Sequence, residues 1–580
     1  MRYVDSFRSI KRICSFSVVV SISLVRSTPT IAASPTVLLD RANQGMVVSA
    51  HPLATQAGLS MLQQGGNAVD AAIATTFAIS VVEPFSAGLG GGGFLLMYQA
   101  KSNETKALDF RERAPLNATK TMYLDNQGKV RPNASTNGYL AVATPGTIAG
   151  LYEVHRKYGR LPWKTVIAPA IQLAETGFPV SWRFVSATKT RLPTLLKSPD
   201  AQKIFTHNGK IYRTGEQLVQ LELAATLRSV SQNPQDFYTG TIATAIATDM
   251  AANNGLITKK DLQQYRPTWR DPVCGDFRKA RVCSMPPPSS GGVHLLQILN
   301  MIGDTDLKTL GWHSPDALHL LVESMRIAYA DRATYLGDPD FVKVPVKALI
   351  SPIYAQKRRQ EINPQKATPS SQVKAVDPAV LQRLTKESVE TSHLTVVDRD
   401  RNAVSLTFTV NLGFGAGVVA KGTGIVLNNE MDDFAIAPNT PNAFGLVGGT
   451  ANAIAPNKIP LSSMTPTIVT ENGRLRLAVG SPGGSTIITT VLQIVLNVLV
   501  YDMDVRKAVA APRVHHQWLP DRLNVELWGL DTLTIAELKR RGHQIEERPS
   551  WGNANAIGVL PDGSLEGAAD PRGEGAASGF

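Results

Sequence analysis

Cysteine is nearly missing from this chain, with three among 580 residues. Cys274 and Cys283 are wrongly spaced for a pair of zinc ligands, and His515 and His516 are neighbours that cannot face one ion from a regular element, so no metal site is anticipated. Long apolar runs are also scarce. Past Val25 no segment is apolar for long enough to cross a bilayer. Low-complexity blocks are absent, which argues against extensive disorder and leaves an ordinary globular composition, sized for one large domain or two smaller ones. Concentrated charge is lacking as well: of the formal net charge of +12 the first 33 residues carry +4, and the remaining +8 is scattered. Scattered lysine and arginine offer no basic patch for nucleic acid, although they give weak attraction for anionic substrates.

The N-terminus differs from the rest. Arg2, Arg8, Lys11 and Arg12 precede the apolar run "ICSFSVVVSISLV", and small residues follow in "PTIAAS", the three-part layout of a secretory signal peptide cut after Ala32 or Ala33. The run is short for a membrane span, so no anchor is expected once it is removed. Cys14 leaves with it. Cys274 and Cys283 flank "GDFRKARV", where a turn near Arg278 would set them opposite each other on a hairpin. A disulfide and two unpaired buried thiols both remain open.

Periodicity places the main elements. "ATQAGLSMLQQGGNAVDAAIATTFAISVVEPF" reads as two helices broken at Gly65 and Gly66, the second buried all round. Ser314 caps a later helix with Pro315 in its first turn and Leu318, Leu321, Val322, Met325 and Tyr329 on one face. "PQDFYTG" and "SMPPPSSGG" read as loops beside a core. Asn363 to Glu390 is polar and without a strong period, an exposed, mobile connection. "SHLTVVDRDRNAVSLTFTV" then gives a β-hairpin, and a turn near Asp400 puts Thr391 opposite Thr409 to within a residue or two of register. "LRLAVGSPGGSTIITTVLQIVLNVLV" is a strand, a glycine turn and an apolar helix.

Several motifs bear on chemistry. "GLGGGG", Gly88 to Gly93, has dinucleotide-loop spacing but follows a helix and precedes a strand, the reverse of the required context, so tight packing against the buried helix is the better reading. "SATK", Ser186 to Lys189, lacks the partner motifs of penicillin-binding enzymes and reads as surface helix. Thr391 follows the mobile stretch directly. A threonine hydroxyl inside a chain is a poor nucleophile, whereas at a chain terminus the freed α-amine, with a pKa near 8, can take its proton; the plainer reading is a β-favouring residue opening a half-buried strand. Gly483 and Gly484 stand at a helix entrance, where N–H groups point outward and could hold an oxyanion, or simply make a tight turn. Ser462 and Ser463 with Glu430 and Asp433 would suit a ligand bearing both ammonium and carboxylate, though each alone is common turn chemistry.

"TSHLTVVDRDRNAV", "GIVLNNEMDDF", "PLSSMTPTIV" and "GSPGGSTIITTVLQ", with "GGNAVDAAIAT", "GLGGGGFLL", "LDFRERAP", "FYTG" and "PPPSSGG" before them, closely resemble the γ-glutamyltranspeptidases from about residue 37 to the end. The resemblance implies an α+β, four-layer αββα sandwich of the N-terminal nucleophile hydrolase fold. It implies a precursor that cuts itself between Glu390 and Thr391 into a large chain, 34–390, and a small chain, 391–580, which form one catalytic domain as a heterodimer. Thr391 becomes the nucleophile, Thr409 its hydrogen-bonding partner, and Gly483 and Gly484 the oxyanion hole. Arg111, Ser462 and Ser463 would hold the donor's α-carboxylate, and Asn411, Glu430 and Asp433 its α-ammonium. Glutathione or another γ-glutamyl compound would acylate Thr391, and water, an amino acid or a peptide would resolve the ester, without metal or organic cofactor, in the periplasm or outside the cell. "AIAPNTPNAFGLVGG" resembles a lid loop in which Phe444 stands where several bacterial members carry a tyrosine, and phenylalanine cannot donate a latching hydrogen bond. The alternatives are a cephalosporin or glutaryl acylase of the same superfamily and a non-enzymatic periplasmic amino-acid binding protein.

Overall fold

The hairpin expected after residue 390 forms, with strands Ser392–Val397 and Ala403–Thr409. Ser392 pairs with Phe408, a register that carried back one residue sets Thr391 opposite Thr409. The computed structural model describes residues 40–373, 391–437, 442–443, 445–446 and 448–580. The expectations for the signal peptide, Cys14, Glu390 and Phe444 lie outside the described residues.

Alternation along the hairpin suggested a strand with one wet face, but both faces are covered. Leu394, Val396, Leu406 and Phe408 point into a core shared with helices Pro52–Gln63 and Ala68–Val82. His393, Thr395 and Thr407 point the other way, where their polar atoms satisfy one another: His393 Nδ1 lies 2.8 Å from Thr407 Oγ1 and its Nε2 3.0 Å from Thr395 Oγ1. Polar residues alternating in sequence thus fill an inter-sheet layer rather than a solvent face.

Two seven-stranded antiparallel sheets result. The first runs Ala576–Gly579, Met46–Ser49, Ser392–Val397, Ala403–Thr409, Gly92–Gln99, Glu104–Asp109, Thr268–Arg270. The second runs Arg41–Ala42, Leu565–Ala569, Asn555–Val559, Arg474–Gly480, Thr467–Glu471, Ala280–Ser284, Val273–Phe277. Met46, Val48, Phe94 and Leu96 meet Ile468, Ala478, Ile557 and Leu565 between them. On the outer face of the second sheet, Val282, Leu477 and Val479 pack with residues of helices Gly291–Ile302, Pro315–Tyr335 and Thr486–Leu499. The layers are therefore helix, sheet, sheet, helix. Strands from before residue 373 and after residue 391 interleave in both sheets, so each half of the chain completes the other's hydrogen bonding.

The helix starts follow local chemistry. Asn67 and Asp70 form a capping box at Ala68–Val82, which is buried at every position. Ser314 Oγ accepts from the Ala317 N–H with Pro315 in the first turn. "PQDFYTG" is not wholly loop, since Asp236–Thr239 closes one helical turn. The expected mobile stretch is also fastened at its start. Thr368 N–H donates to Glu323 Oε2 at 3.1 Å, Ser370 N–H to Asp521 Oδ2 at 2.7 Å, and Trp518 Nε1 to the Ser370 carbonyl at 2.9 Å. Cys274 and Cys283 face each other across strands Val273–Phe277 and Ala280–Ser284 and form a disulfide, with Arg278 at a positive φ of 56° in the turn.

Burial between the sheets lowers the His393 pKa from 6.5 to about 3, so the folded protein keeps this ring neutral. The unfolded chain takes up a proton below pH 6.5 that the folded chain refuses until about pH 3. Its contribution is therefore fully present above pH 6.5 and is lost as pH falls, by up to about 1.4 kcal/mol per pH unit. Thermal unfolding of His393→Gln should show a shallower acid loss of Tm than the parent; parallel curves would contradict the assignment.

Candidate active site

Thr391 heads an inner strand of the first sheet, and its Oγ1 lies 3.2 Å from Thr409 Oγ1 at the end of the neighbouring strand. The Asn411 N–H donates to Thr409 Oγ1 at 2.8 Å, while Asn411 Nδ2 donates to the Asn429 carbonyl at 3.0 Å. A left-handed backbone at Asn411, φ 77°, lets one residue serve both the strand end and the "NNEMDDF" loop. The loop is braced in turn by Asn428, whose Nδ2 donates to the carbonyls of Gly90 and Ala143, both at 2.8 Å.

The glycine run "GLGGGG" belongs to this bracing. A Cβ on Gly91 would stand 1.9 Å from the Thr409 carbonyl oxygen, and one on Gly90 would stand 2.2 Å from that of Val426. Its close packing is thus against the second threonine's strand and the short strand Ile425–Val426 that leads into the acidic loop, rather than against the buried helix as the sequence suggested. Gly91→Ala should push Thr409 away from Thr391 and slow maturation and turnover by an order of magnitude or more; a variant matching the parent in both would count against this role. "SATK" lies on the helix Trp182–Leu195 with Ser186 and Lys189 exposed, as expected.

Gly483 and Gly484 have φ of 137° and 54° at the entrance to Thr486–Leu499. Thr486 fixes the turn, its N–H and Oγ1 donating to the Gly483 carbonyl at 3.0 and 2.8 Å. A small cavity of about 20 Å³ opens beside this turn, lined by Thr391, Thr409, Asn411, Arg111, Glu430, Asp433, Ser462, Ser463 and Gly484. All the anticipated site residues within the described chain line it except Gly483, one position outside.

Electrostatics in the cavity are crowded. Arg111 is buried and pairs with Asp433 at 2.6 Å, with Glu112 at 3.3 Å and with Glu430. Burial alone would lower its pKa, but Glu430, Glu112 and Asp433 together raise it. Burial lifts Glu430 to about 8 and Glu112 to about 7, and it lifts Asp433 as well, helped by the charge of Glu430. Three acids around one guanidinium keep a proton among themselves near neutral pH, and a bound ammonium group can replace it. Asn442 Nδ2 donates to Asp433 Oδ1 at 3.2 Å, and Leu446 lines the cavity.

Two further residues escaped the sequence reading. Glu112 is signalled only by its position beside Arg111. Arg332 lies in the last turn of the helix Pro315–Tyr335 and lines the same cavity. Its Nη2 donates to Ser463 Oγ at 3.3 Å, whereas Ser462 Oγ accepts the Met464 N–H at 3.1 Å.

Two antiparallel sheets between helical layers, with a threonine at the start of an inner strand, define the N-terminal nucleophile hydrolase class. A crystal structure of cephalosporin acylase from Bacillus halodurans matches with a TM-score of 0.82 at 29% identity, covering 97% of this chain and 99% of that one. A crystal structure of Helicobacter pylori γ-glutamyltranspeptidase matches with a TM-score of 0.56 at 45% identity, covering 58% of this chain and 96% of that one. The glutathione hydrolase proenzyme of Escherichia coli K12 is 48% identical over 534 residues, 92% of this chain and 91% of the relative. The γ-glutamyltranspeptidase family model matches residues 54–580. The chain belongs to the γ-glutamyltranspeptidase family and is an enzyme of that type. No helix among the described residues is long and apolar enough to cross a membrane.

Proposed function

We propose that this chain cuts itself between Glu390 and Thr391 and then transfers or hydrolyses γ-glutamyl groups through an ester on Thr391. In the precursor the Thr391 hydroxyl attacks the Glu390 carbonyl carbon, the peptide C–N bond breaks as an ester forms, and water hydrolyses that ester. The products are a large chain, 34–390, and a small chain, 391–580, that begins with a free amine. The solved Helicobacter chain, covering 58% of this sequence, has the size of such a large chain. Interleaved strands hold the two products together as a heterodimer.

In the mature enzyme the Thr391 α-amine accepts the hydroxyl proton as Oγ1 attacks the γ-carbonyl carbon of the donor. The oxyanion forms beside the N–H groups of Gly483 and Gly484, and Thr409 steadies the attacking oxygen. Collapse breaks the γ-amide C–N bond, and the leaving amine, cysteinylglycine in the case of glutathione, takes the proton from the α-ammonium. Water or the amine of an amino acid or peptide then opens the ester. At the far end Arg111, Ser462 and Ser463 hold the α-carboxylate, while Asp433, Glu430 and Asn411 hold the α-ammonium. Export by the N-terminal signal places this chemistry in the periplasm or outside the cell.

One observation carries the reading: the 3.2 Å pair of threonine hydroxyls opens on a cavity that also holds a buried guanidinium among acids. The likeness to a cephalosporin acylase favours a second reading, in which the acyl group lacks an α-amine. Paired assays with γ-glutamyl and glutaryl anilides separate them. A kcat/KM at least 10²-fold higher on the γ-glutamyl compound is expected from two or more charged contacts. A preference for the glutaryl compound would establish the acylase reading instead.

A further inference from the structure

We infer that Arg332 is a positioning residue for the donor's α-carboxylate and acts through the Ser463 hydroxyl; the inference rests on the donor-site reading above. Arg332 is 4% exposed and, among the described residues, takes part in no ion pair. Its acceptors are two hydroxyls, Ser290 Oγ at 3.1 Å from Nε and Ser463 Oγ at 3.3 Å from Nη2. Buried cations are normally neutralised by a carboxylate in contact, whereas Arg332 feels the Asp433 charge from beyond ion-pairing distance and hydrogen-bonds to hydroxyls at the edge of a cavity, an arrangement suited to an anion that arrives from outside. Burial lowers its pKa to about 10, which still leaves it charged at neutral pH.

Arg111 stands in the opposite condition. Glu112, Glu430 and Asp433 already surround it, so that corner is not short of negative charge, and a fourth carboxylate entering there needs positive charge from another source. Arg332 supplies it beside the serines.

The hydrogen bonding also fixes direction. A guanidinium only donates, so Ser463 Oγ must accept from Arg332, and its own proton is left to point elsewhere, toward the cavity it lines. A hydroxyl that accepts from a cation becomes a stronger donor, as an incoming carboxylate oxygen requires. Ser290 works in parallel: its Oγ accepts from Arg332 and donates to the Ser462 carbonyl at 2.8 Å, while its N–H donates to the same carbonyl at 2.8 Å. Arg332 therefore clamps the backbone of the serine pair through Ser290 and aims one of its hydroxyls.

The test compares two donors on the self-cleaved enzyme, γ-glutamyl anilide and 4-aminobutanoyl anilide, which lacks only the α-carboxylate. Arg332→Gln should raise KM for the first about tenfold or more with kcat changed less than about threefold, and should leave kcat/KM for the second unchanged. Arg332→Lys, a point charge without the fork, should recover part of the loss. Equal losses on both donors would mean general disruption and overturn the inference, as would no change on either. Appearance of the two cut fragments reports folding. Should Arg332→Gln fail to mature, Ser463→Ala and Arg332→Lys carry the same comparison. Arg111→Gln is the control for the underlying reading. If it abolishes discrimination between the donors and Arg332→Gln does not, only the present inference falls; if Arg111→Gln also keeps discrimination, the donor site itself is misplaced.

Discussion

Thr391→Ala is expected to give one uncut chain on a denaturing gel, with γ-glutamyl turnover reduced by about 10⁴-fold to 10⁶-fold, the loss typical of removing a nucleophile. The parent should give fragments of about 357 and 190 residues, counted from Ser34 to Glu390 and from Thr391 to Phe580. On the proposed mechanism two functions would disappear together, because one hydroxyl performs both: it starts the acyl shift that frees the amine, and it later attacks the donor. Global misfolding is not the expected cause. The strand Ser392–Val397 keeps its ladder on both sides, and alanine removes only a small side chain at the strand's head. Thr391→Ser keeps the hydroxyl, so it should still cut and still turn over. An uncut Thr391→Ala chain that retained activity on glutathione would show that another residue carries the acyl group.

The second large effect is expected at Arg111. Arg111→Ala should raise KM for γ-glutamyl donors about 10²-fold or more, from loss of a buried, charge-assisted contact, and should leave self-cleavage intact. The proposed self-cleavage uses Thr391 and Thr409, neither of which bonds to Arg111 among the described residues. There is also a stability cost. Removing the guanidinium strands Glu112, Glu430 and Asp433 in a buried space, a change worth about 3–5 kcal/mol when one member of a buried ion pair is lost. These acids already sit high in pKa and should respond by holding more protons, which lessens the penalty and weakens ammonium binding further. Glutathione kinetics with a fluorescence melt on the same variant separate the two effects. Unchanged KM would place the donor carboxylate elsewhere.

Much of this arrangement was legible in the sequence where the chemistry is local. The hairpin register that joins Thr391 to Thr409 follows from the spacing of two alternating runs around a turn, and the Ser314 cap and the glycine turn before Thr486 follow from residue type. What could not be read depends on neighbours far along the chain. Arg332, within a long helix, resembles any helical arginine until folding brings it to Ser463, 131 positions away. His393 looks like part of a half-exposed strand until the second sheet covers it. The polar stretch from Asn363 reads as free chain because the groups that fasten it, Glu323 and Asp521, lie 45 and 151 positions from the residues they hold. The glycines at 90 and 91 carry the right signal, tight approach, but only the fold reveals that the approach is to Val426 and Thr409.

The most direct test of the account is to mix the mature enzyme with a γ-glutamyl donor, quench in acid, and find the modified residue by mass spectrometry of the small chain. The account predicts a γ-glutamyl ester on the terminal residue of a peptide that begins Thr391-Ser392-His393 and has a free amine. An acyl group on any other side chain, or turnover by a chain still joined at Glu390, would contradict it.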